Sequence, residues 1–277
     1  MTKIAVLGLG EAGSLIGSDI VNTGKAQNLD LHLYGFDPAA VATPAGINRM
    51  ATAAETVSNA DFILSFTGSV DALTAMNQAI ERIPATAIYA DFSSASAGLK
   101  RELAKNAESI GFKFCDVALM AMVPGNGIKT PSMLAGNGAS RLQSWIAALG
   151  MPAVIVSENA GDAAQRKLLR SVVIKGLAGL LIEALQGANQ AGCQDWLWKN
   201  LIDEFTAMDH TMLQRLVQGT GTHAQRRFHE MEAAAQQLIE SGVEPLMTKS
   251  TVQSLDKVRR EGVPEVPEVV EVPEVQG

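Results

Sequence analysis

The stretch KIAVLGLGEAGSLIGSDIVNTGKAQNLDLHLYGFD, residues 3–37, decides the fold of this chain. An apolar run from Ile4 to Leu7 ends in a glycine-rich turn, and a helical pattern of apolar residues begins directly after it. The segment 22–24, Asn-Thr-Gly, ends that helix, and a second apolar run leads to Asp37. The order predicts a strand, a tight turn, a helix and a second strand.

The turn carries glycine at three positions, and each glycine has its own physical reason. Gly8 lets the chain turn off the strand, Gly10 lets a pyrophosphate approach the backbone, and Gly13 lets the helix pack closely on the strand. The helix N-terminus then offers free N–H groups and a partial positive charge to the phosphates. We therefore predict a dinucleotide-binding fold, with an accidental match in another α/β fold as the alternative. The predicted cofactor-binding residues of this stretch are Gly8, Leu9, Gly10, Glu11, Ala12, Gly13 and Asp37.

Asp37 stands at the end of the second strand, about 20 residues beyond the glycines, as the dinucleotide pattern requires. A carboxylate there accepts hydrogen bonds from the ribose hydroxyls of NAD and repels the 2′-phosphate of NADP. Arg49, the next basic residue, is too far along the chain to be read as a phosphate clamp. Asp37 could instead cap the turn that begins at Pro38. We expect NAD as the cofactor and NADP as the less favoured one.

Composition bounds the class of protein and its partners. The 277 residues are 47% hydrophobic and 18% charged, which is typical of a globular chain with a large core. A net charge of −7 argues against nucleic acid or an anionic membrane as a partner. Cys115 and Cys193 have no metal-ligand spacing, and the first strand begins without room for a signal peptide. We expect a cytoplasmic protein that acts on a small molecule.

Short apolar runs alternate with helical patterns up to about residue 157. After Asp37, further strands are predicted at residues 60–66, 87–92 and 112–117. This alternation predicts an α/β fold, a Rossmann-type doubly wound parallel sheet with helices on both faces. We assign residues 1–157 to this dinucleotide-binding domain.

Ligands of such sheets bind outside the carboxyl ends of the strands. We therefore expect Thr67, Ser94 and the loop 120–129 to line one crevice. Met120 and Met122 follow a strand end, so they are expected to line an apolar substrate pocket.

The sequence becomes helical throughout after Gly161, which predicts an all-α C-terminal domain over residues 158–261 for substrate binding and dimerisation. The helix through residues 172–185 is apolar on all sides, so it must be buried within the domain or against a partner chain. We expect a homodimer. Residues 262–277 contain Val-Pro-Glu units that neither hold a helix nor bury a core, and they predict an acidic, extended tail.

The chain resembles the β-hydroxyacid dehydrogenase superfamily, which includes 3-hydroxyisobutyrate dehydrogenase and the 6-phosphogluconate dehydrogenases. The likeness covers roughly residues 1–260. More closely, the chain resembles a phosphogluconate-dehydrogenase-like branch. The segments that carry the resemblance are Gly8–Gly13, Asp91–Ser94 and Gly161–Lys167, and for the closer branch Asp116–Pro124, His223–Arg227 and Glu230–Glu232.

The resemblance implies an NAD(P)-dependent oxidoreductase that works as a homodimer. It places the catalytic lysine at Lys167 and backbone contacts to the cofactor at Phe66 and Thr67. It also places a hydroxyl near the nicotinamide ribose at Ser94.

Three positions depart from the family pattern. The substrate loop Ser-Gly-Gly is here Met120-Ala121-Met122, the asparagine three residues after the lysine is Arg170, and a late lysine near the cofactor is His229. The resemblance therefore supports the dehydrogenase scaffold better than the usual small hydroxy-acid substrate.

Alcohol oxidation needs a group that takes the hydroxyl proton while hydride leaves carbon. Lys167 can do this if burial and a cationic nicotinamide lower its pKa. Its alternative is an exposed lysine, and Lys175, in an apolar run, is a rival whose own alternative is a lysine reaching to the surface. Arg170 could bind a substrate carboxylate or phosphate, or could pair with a nearby acid of the chain.

The helical half holds one dense basic cluster, formed by His223, Arg226, Arg227 and His229. It is either a solvated helix face or a segment that closes over the active site. The histidines have no metal-ligand spacing, so we predict no metal site.

Three functions are compatible with these observations. The first is an NAD-dependent oxidoreductase of a secondary alcohol, a hydroxy acid or its derivative. The second is an imine or ketimine reductase on the same scaffold. The third is a dinucleotide-binding sensor without catalysis.

Overall fold

A computed structural model describes residues 1–39 and 42–268 of the chain. The strands are β1 (Thr2–Leu7), β2 (Leu31–Phe36), β3 (Ile47–Arg49), β4 (Phe62–Ser65), β5 (Ile88–Asp91), β6 (Lys113–Leu119), β7 (Ser132–Ala135) and β8 (Ala153–Ser157). The helices are α1 (Glu11–Ala26), α2 (Ala53–Val57), α3 (Ala72–Ala79), α4 (Ala97–Ile110), α5 (Ala139–Ala148), α6 (Asp162–Gln190), α7 (Gln194–Thr206), α8 (His210–Glu240) and α9 (Leu246–Glu261).

The strands form one sheet in the order β3-β2-β1-β4-β5-β6-β7-β8. The Rossmann-type α/β fold with a helical C-terminal region is therefore confirmed. One pair departs from the prediction of a parallel sheet, because β7 runs antiparallel to β6. The chain between these two strands contains only a loop and the 3₁₀ turn Gly127–Lys129. A parallel return needs a long crossover, which this connection does not provide.

Two hydrophobic layers cover the two faces of the sheet. The layer on one face includes Ile16 and Ile20 of α1, and Leu142 and Ile146 of α5, all nearly inaccessible to solvent. The other layer is formed by residues of α2, α3 and α4 against the opposite sides of the same strands. Burial on both faces explains why the strands read as continuous apolar runs rather than as alternating ones.

The chain divides into two compact units after Arg170. The first is the α/β unit, residues 1–170, which contains the sheet and the start of α6. The second, the helical unit, begins at Ser171. The domain boundary expected from the sequence, between residues 157 and 158, stays a prediction.

The helical pattern of the second unit is interrupted in two places. Helix α8 is kinked at His223, where φ is −114° and ψ is 20°, two residues beyond the glycine-containing segment 219–221. An unpredicted break lies between α7 and α8. There Asp209 caps α8, and its side chain accepts a hydrogen bond from the Met212 N–H at 2.8 Å.

The apolar part of α6 is not buried within the chain as described. Val172, Val173 and Ile174 are 70%, 66% and 53% exposed. The helix was expected to be buried either within the domain or against a partner chain. Burial within the domain is not found for these three residues, and we propose that a partner chain covers them.

A buried carboxylate joins two helices of the helical unit. Glu183 of α6 is 6% exposed and accepts hydrogen bonds at the start of α9, from the N–H of Met247 at 2.7 Å and from the N–H and hydroxyl of Thr248 at 2.8 and 2.6 Å. Burial by itself raises the pKa of Glu183, but these hydrogen bonds outweigh it and the pKa is lowered. The ionised carboxylate therefore stabilises the folded state.

We expect Glu183→Gln to lower the free energy of unfolding by about 1–3 kcal/mol at neutral pH, because the start of α9 loses a charged acceptor. A lowered pKa contributes stability above the ordinary glutamate pKa of about 4.3, and this contribution is lost as the pH falls through the lowered value. Urea denaturation of both proteins at neutral and acidic pH measures the difference. A difference that does not shrink in acid would contradict this role.

Residues 262–268 contain neither helix nor strand, and residues 269–277 of the predicted tail lie outside the described residues. Within residues 1–39 and 42–268, no helix is both long and apolar enough to cross a membrane.

Candidate functional site: a crevice at the carboxyl ends of the strands

The glycine turn between β1 and α1 has the geometry that its three glycines predict. Gly8 has a φ of +90°, and a Cβ there would meet the carbonyl oxygen of Phe66 at 2.8 Å. A Cβ on Gly13 would lie 2.0 Å from the carbonyl oxygen of Gly8. Gly10 differs, because it has an ordinary φ of −67° and nothing within 4 Å of a Cβ. The space in front of Gly10 is open, as the approach of a phosphate requires.

We expect Gly10→Ala to leave the free energy of unfolding within about 0.5 kcal/mol of the parent, because the added methyl meets no protein atom. The same methyl would occupy the space needed by a pyrophosphate, so NADH affinity should fall at least about tenfold. Fluorescence titration and thermal unfolding measure both quantities. Gly13→Ala is the contrast, since it should destabilise the fold by about 1–3 kcal/mol or more. Equal NADH affinity in Gly10→Ala and the parent would contradict the assignment.

Asp37 lies against the glycine turn. Its Oδ2 accepts a hydrogen bond from the Leu9 N–H at 2.7 Å, and its Oδ1 accepts one from the Ala39 N–H at 2.8 Å. The second bond is the turn cap that was the alternative for this residue. The first holds the carboxylate beside the glycine turn, and each oxygen keeps a further lone pair for a ribose hydroxyl. The turn cap is therefore observed, and the geometry leaves the predicted ribose contact possible, which stays a prediction.

Arg49 is closer to Asp37 than the sequence suggested. Strand β3 pairs with β2 and places Arg49 opposite Gly35, two residues before Asp37. Its guanidinium donates to the carbonyl oxygens of Asp37 and Ala39, both at 2.8 Å. The reading of Arg49 as too distant is wrong, because the three-residue strand that brings it there carries too little periodicity to be recognised. A cation therefore stands beside the loop that follows β2.

A cavity of about 340 Å³ opens between the glycine turn and the loop after β4. Of the predicted cofactor residues, those that line it are Gly8, Gly10, Asp37, Phe66 and Thr67. Leu9 and Gly13 shape the turn through the contacts above, while Glu11 and Ala12 form the start of α1. Phe66 also stacks on Phe92, with ring centroids 4.4 Å apart. Polar backbone at a helix start, the carboxylate of Asp37 and an apolar wall fit one half of a dinucleotide, and a second acidic residue, Asp71, also lines the cavity.

Lys167 meets Ser94 at the neighbouring strand end. Lys167 Nζ donates a hydrogen bond to Ser94 Oγ at 3.1 Å. Ser94 follows β5 and is exposed, whereas Lys167 lies in the second turn of α6 and is half-buried. Strand β5 pairs with β4, so Ser94 and Thr67 follow neighbouring parallel strands at the same edge of the sheet. The structure thus brings together a lysine amine and a hydroxyl that the sequence separates by 73 residues.

Arg170 lies near the loop that follows β6. Its guanidinium donates to the carbonyl oxygen of Met120 at 3.3 Å, and its side chain is exposed. Met120 is half-buried, and Met122 is 75% exposed. The expectation that these methionines line a substrate pocket stays a prediction, and Met122 presents its side chain to solvent.

Three charged side chains lie fully buried beneath these strand ends, and sequence reasoning missed them as a group. Lys100 Nζ donates to Asp91 Oδ2 at 2.7 Å and lies 3.1 Å from Asp116 Oδ1, and all three side chains are inaccessible to solvent. A lysine in the amphipathic helix α4 reads as a surface residue. Its only sequence signal is the presence of one acid in each of two apolar strands.

Cys115 is buried beside this cluster. Burial and then the nearby Asp116 carboxylate raise the pKa of the Cys115 thiol. The thiol is therefore neutral near pH 7 and unsuited to act as a nucleophile.

The basic cluster of α8 and the rival lysine both belong to the helical unit. Arg226 pairs with Glu230 at 3.5 Å, and His229 Nδ1 lies 3.1 Å from Glu232 Oε2, all four on the exposed helix surface. Lys175 is exposed as well. Within the described part of the chain, no three His, Cys, Asp or Glu side chains are grouped to hold a metal ion.

Comparison with known proteins gives the chain a family. Residues 3–140 match the NAD binding domain of 6-phosphogluconate dehydrogenase. Residues 188–258 match a domain of unknown function, DUF1932. The resemblance drawn from the sequence is confirmed, and the α/β unit is a nicotinamide-dinucleotide-binding domain.

Individual relatives cover different parts of the chain. The "Probable 3-hydroxyisobutyrate dehydrogenase" of Mycobacterium tuberculosis is 30% identical over 149 residues, which are 52% of this chain and 48% of that protein, so the match spans about half of that relative. A conserved hypothetical protein of Sinorhizobium meliloti 1021 has a solved structure with a TM-score of 0.61 at 26% identity, covering 95% of this chain and 92% of that one. An imine reductase from Myxococcus stipitatus in complex with NADP⁺ has a TM-score of 0.72 at 16% identity, covering 95% and 96%, and shows the fold alone.

Proposed function

We propose that this chain, which belongs to the family with the NAD binding domain of 6-phosphogluconate dehydrogenase, is an oxidoreductase of a secondary alcohol. The alcohol would be a hydroxy acid or a derivative with an apolar part. The observation that carries the proposal is the hydrogen bond from Lys167 Nζ to Ser94 Oγ, at the sheet edge where the glycine turn and Asp37 also lie.

The roles of the residues follow from their positions. The bound nicotinamide would supply the hydride acceptor or donor. Lys167, in its neutral form, would take the hydroxyl proton during oxidation, and its ammonium form would return it during reduction. Ser94 Oγ orients the amine, and the start of α1 with Asp37 would hold the phosphates and a ribose.

Arg170 would bind an acidic group of the substrate. Its guanidinium is exposed beside the loop after β6, and it forms no ion pair with a carboxylate of the described residues. A carboxylate or phosphate of the substrate would give it a bidentate partner. Met120 and Met122 would contact an apolar part of the same molecule.

The proposal is tested by following the absorbance of NADH at 340 nm. The protein is incubated with NAD⁺ or NADP⁺ and a panel of 2- and 3-hydroxy acids, their esters and their phosphates, each at several concentrations. Formation of NADH or NADPH faster than with Lys167→Met supports the proposal. Saturable NADH binding with no turnover across the panel would favour the sensor instead.

An imine or ketimine reductase is the second candidate. The apolar Met120-Ala121-Met122 stands where the family has Ser-Gly-Gly, so the loop offers no hydroxyl to a small acid. The imine reductase of Myxococcus stipitatus shares the fold. Oxidation of NADH or NADPH by mixtures of a ketone and an amine, but not by the ketone alone, would favour this function.

We propose a homodimer built on the exposed apolar surface of the helical unit. Val172, Val173 and Ile174 lie next to one another on α6, and each is more than half exposed. Apolar patches of this kind mark association surfaces in soluble proteins. We expect light scattering to give twice the chain mass of 29.2 kDa, and Val173→Asp to shift the mass toward the monomer. A parent protein that is monomeric at micromolar concentration would contradict this.

A further inference from the structure

The buried cluster of Asp91, Lys100 and Asp116 adopts a geometry that the proposed chemistry does not itself explain. Lys100 Nζ is the only cation of the group and serves both carboxylates, at 2.7 and 3.1 Å, and also donates to the carbonyl oxygen of Asp91 at 2.7 Å. Burying three charges is costly, and replacing such a group by apolar side chains is often neutral or stabilising. Stability alone is therefore a weak reason for its presence.

One arm of the cluster leads to Ser94. Asp91 is the last residue of β5, and its Oδ2 also accepts a hydrogen bond from Ser93 Oγ at 2.6 Å. Ser93 is buried, and the next residue, Ser94, is exposed at the sheet edge. The cluster thereby fixes the backbone from which the Ser94 hydroxyl projects.

The other arm leads to Lys167. Asp116 Oδ2 accepts hydrogen bonds from the N–H of Gly161 at 3.1 Å and of Ala164 at 2.9 Å, at the start of α6. Free N–H groups at a helix start need such an acceptor. Lys167 is one turn further along the same helix, so this carboxylate fixes the part of α6 that carries it.

Asp91 and Asp116 are direct neighbours on paired strands. Lys100 pairs with both carboxylates. One cation therefore holds the carboxylate that leads to Ser94 and the carboxylate that leads to Lys167. We propose that Asp91, Lys100 and Asp116 are positioning residues that set the hydrogen bond between Lys167 and Ser94 without touching substrate or cofactor. This inference rests on the proposed role of Lys167 in catalysis.

The test is the rate at which trinitrobenzenesulfonate labels Lys167, read by peptide mass spectrometry against Lys175 in the same chain. Lys175 is exposed and serves as the internal standard. In the parent, the bond to Ser94 slows labelling of Lys167. In Asp116→Asn, the side-chain amide has one accepting oxygen and one donating NH₂ group. Either the start of α6 or Lys100 therefore meets a donor where the parent offers an acceptor. The ratio of Lys167 to Lys175 labelling should therefore rise about fivefold, as expected when one hydrogen bond is lost.

Ser94→Ala closes a double-mutant cycle. Alone it should raise the ratio by a similar factor, and in the Asp116→Asn background it should add little, because the bond is already broken. Glu183→Gln is the matched control, since Glu183 also serves a helix start from a buried position, and it should leave the ratio unchanged. If Asp116→Asn does not fold, Ser93→Ala is the milder variant. It removes only the hydrogen bond from Ser93 to Asp91 and should also raise the ratio.

An unchanged ratio in folded Asp116→Asn and Ser93→Ala would overturn the inference, and so would fully additive effects of Ser94→Ala and Asp116→Asn. Labelling needs neither substrate nor cofactor. Failure of the positioning role is therefore distinguished from failure of the oxidoreductase, which would appear as absent turnover with an intact labelling cycle.

Discussion

Lys167→Met is expected to lower turnover by 10² to 10⁴ while NADH affinity changes less than about threefold, since general acid–base catalysis contributes on that scale. The methionine keeps the length and apolar stem of the side chain but neither accepts nor donates the substrate proton. The amine is in place for this role because Ser94 Oγ holds it at 3.1 Å at the sheet edge. The measurement is kcat and kcat/KM for the best substrate of the panel, with NADH titrated in parallel.

Lys175→Met is the matched control, because Lys175 is another lysine of the same helix and is exposed. It should retain most of the parent activity. The reverse result, an active Lys167→Met and an inactive Lys175→Met, would move the acid–base role to Lys175. A loss of NADH binding in Lys167→Met would instead indicate that the lysine holds the cofactor.

Asp37→Ser is expected to change the ratio of kcat/KM for NAD⁺ and NADP⁺ by about 10² or more in favour of NADP⁺. In the parent, the carboxylate beside Leu9 would meet a 2′-phosphate at close range, and like charges so placed cost several kcal/mol. The substitution removes that repulsion and leaves a hydroxyl. Arg49 already stands at this loop, so the 2′-phosphate would gain a cation.

Asp37→Ser combined with Arg49→Met separates the two contributions. If Arg49 supplies the attraction, the double variant should lose most of the gain for NADP⁺. The cap formed with Ala39 predicts a further, separate effect, since its loss should lower stability by about 0.5–2 kcal/mol. A parent that prefers NADP⁺, or a variant that loses stability without any shift in preference, would contradict the role of Asp37 in binding ribose.

The glycine turn shows why part of the site could be predicted from the sequence. The reasons for Gly8, Gly10 and Gly13 are local, because each depends on the path of the backbone within a few residues of the turn. The number of residues between the turn and Asp37 is set by the lengths of α1 and β2. A periodic pattern and a short motif therefore suffice for this half of the crevice.

Arg49 and Lys100 show why the rest could not be predicted. Arg49 reaches Asp37 only because the three-residue β3 pairs with β2, and so short a strand has no periodicity to detect. Lys100 is a charged residue in an amphipathic helix, and only the fold reveals that Asp91 and Asp116 lie beside it. The antiparallel direction of β7 could not be predicted either, because it is set by the length of the preceding loop and not by the residues of the strand.

A fluorescence titration with NADH shows whether the glycine turn, Asp37 and the Ser94–Lys167 pair form one nicotinamide dinucleotide site. We expect saturable binding to the parent, competition by NAD⁺, retained binding in Lys167→Met and binding weakened at least about tenfold in Gly10→Ala. No saturable binding of NADH or NADPH to the folded parent, or equal binding to the parent and Gly10→Ala, would contradict this assignment.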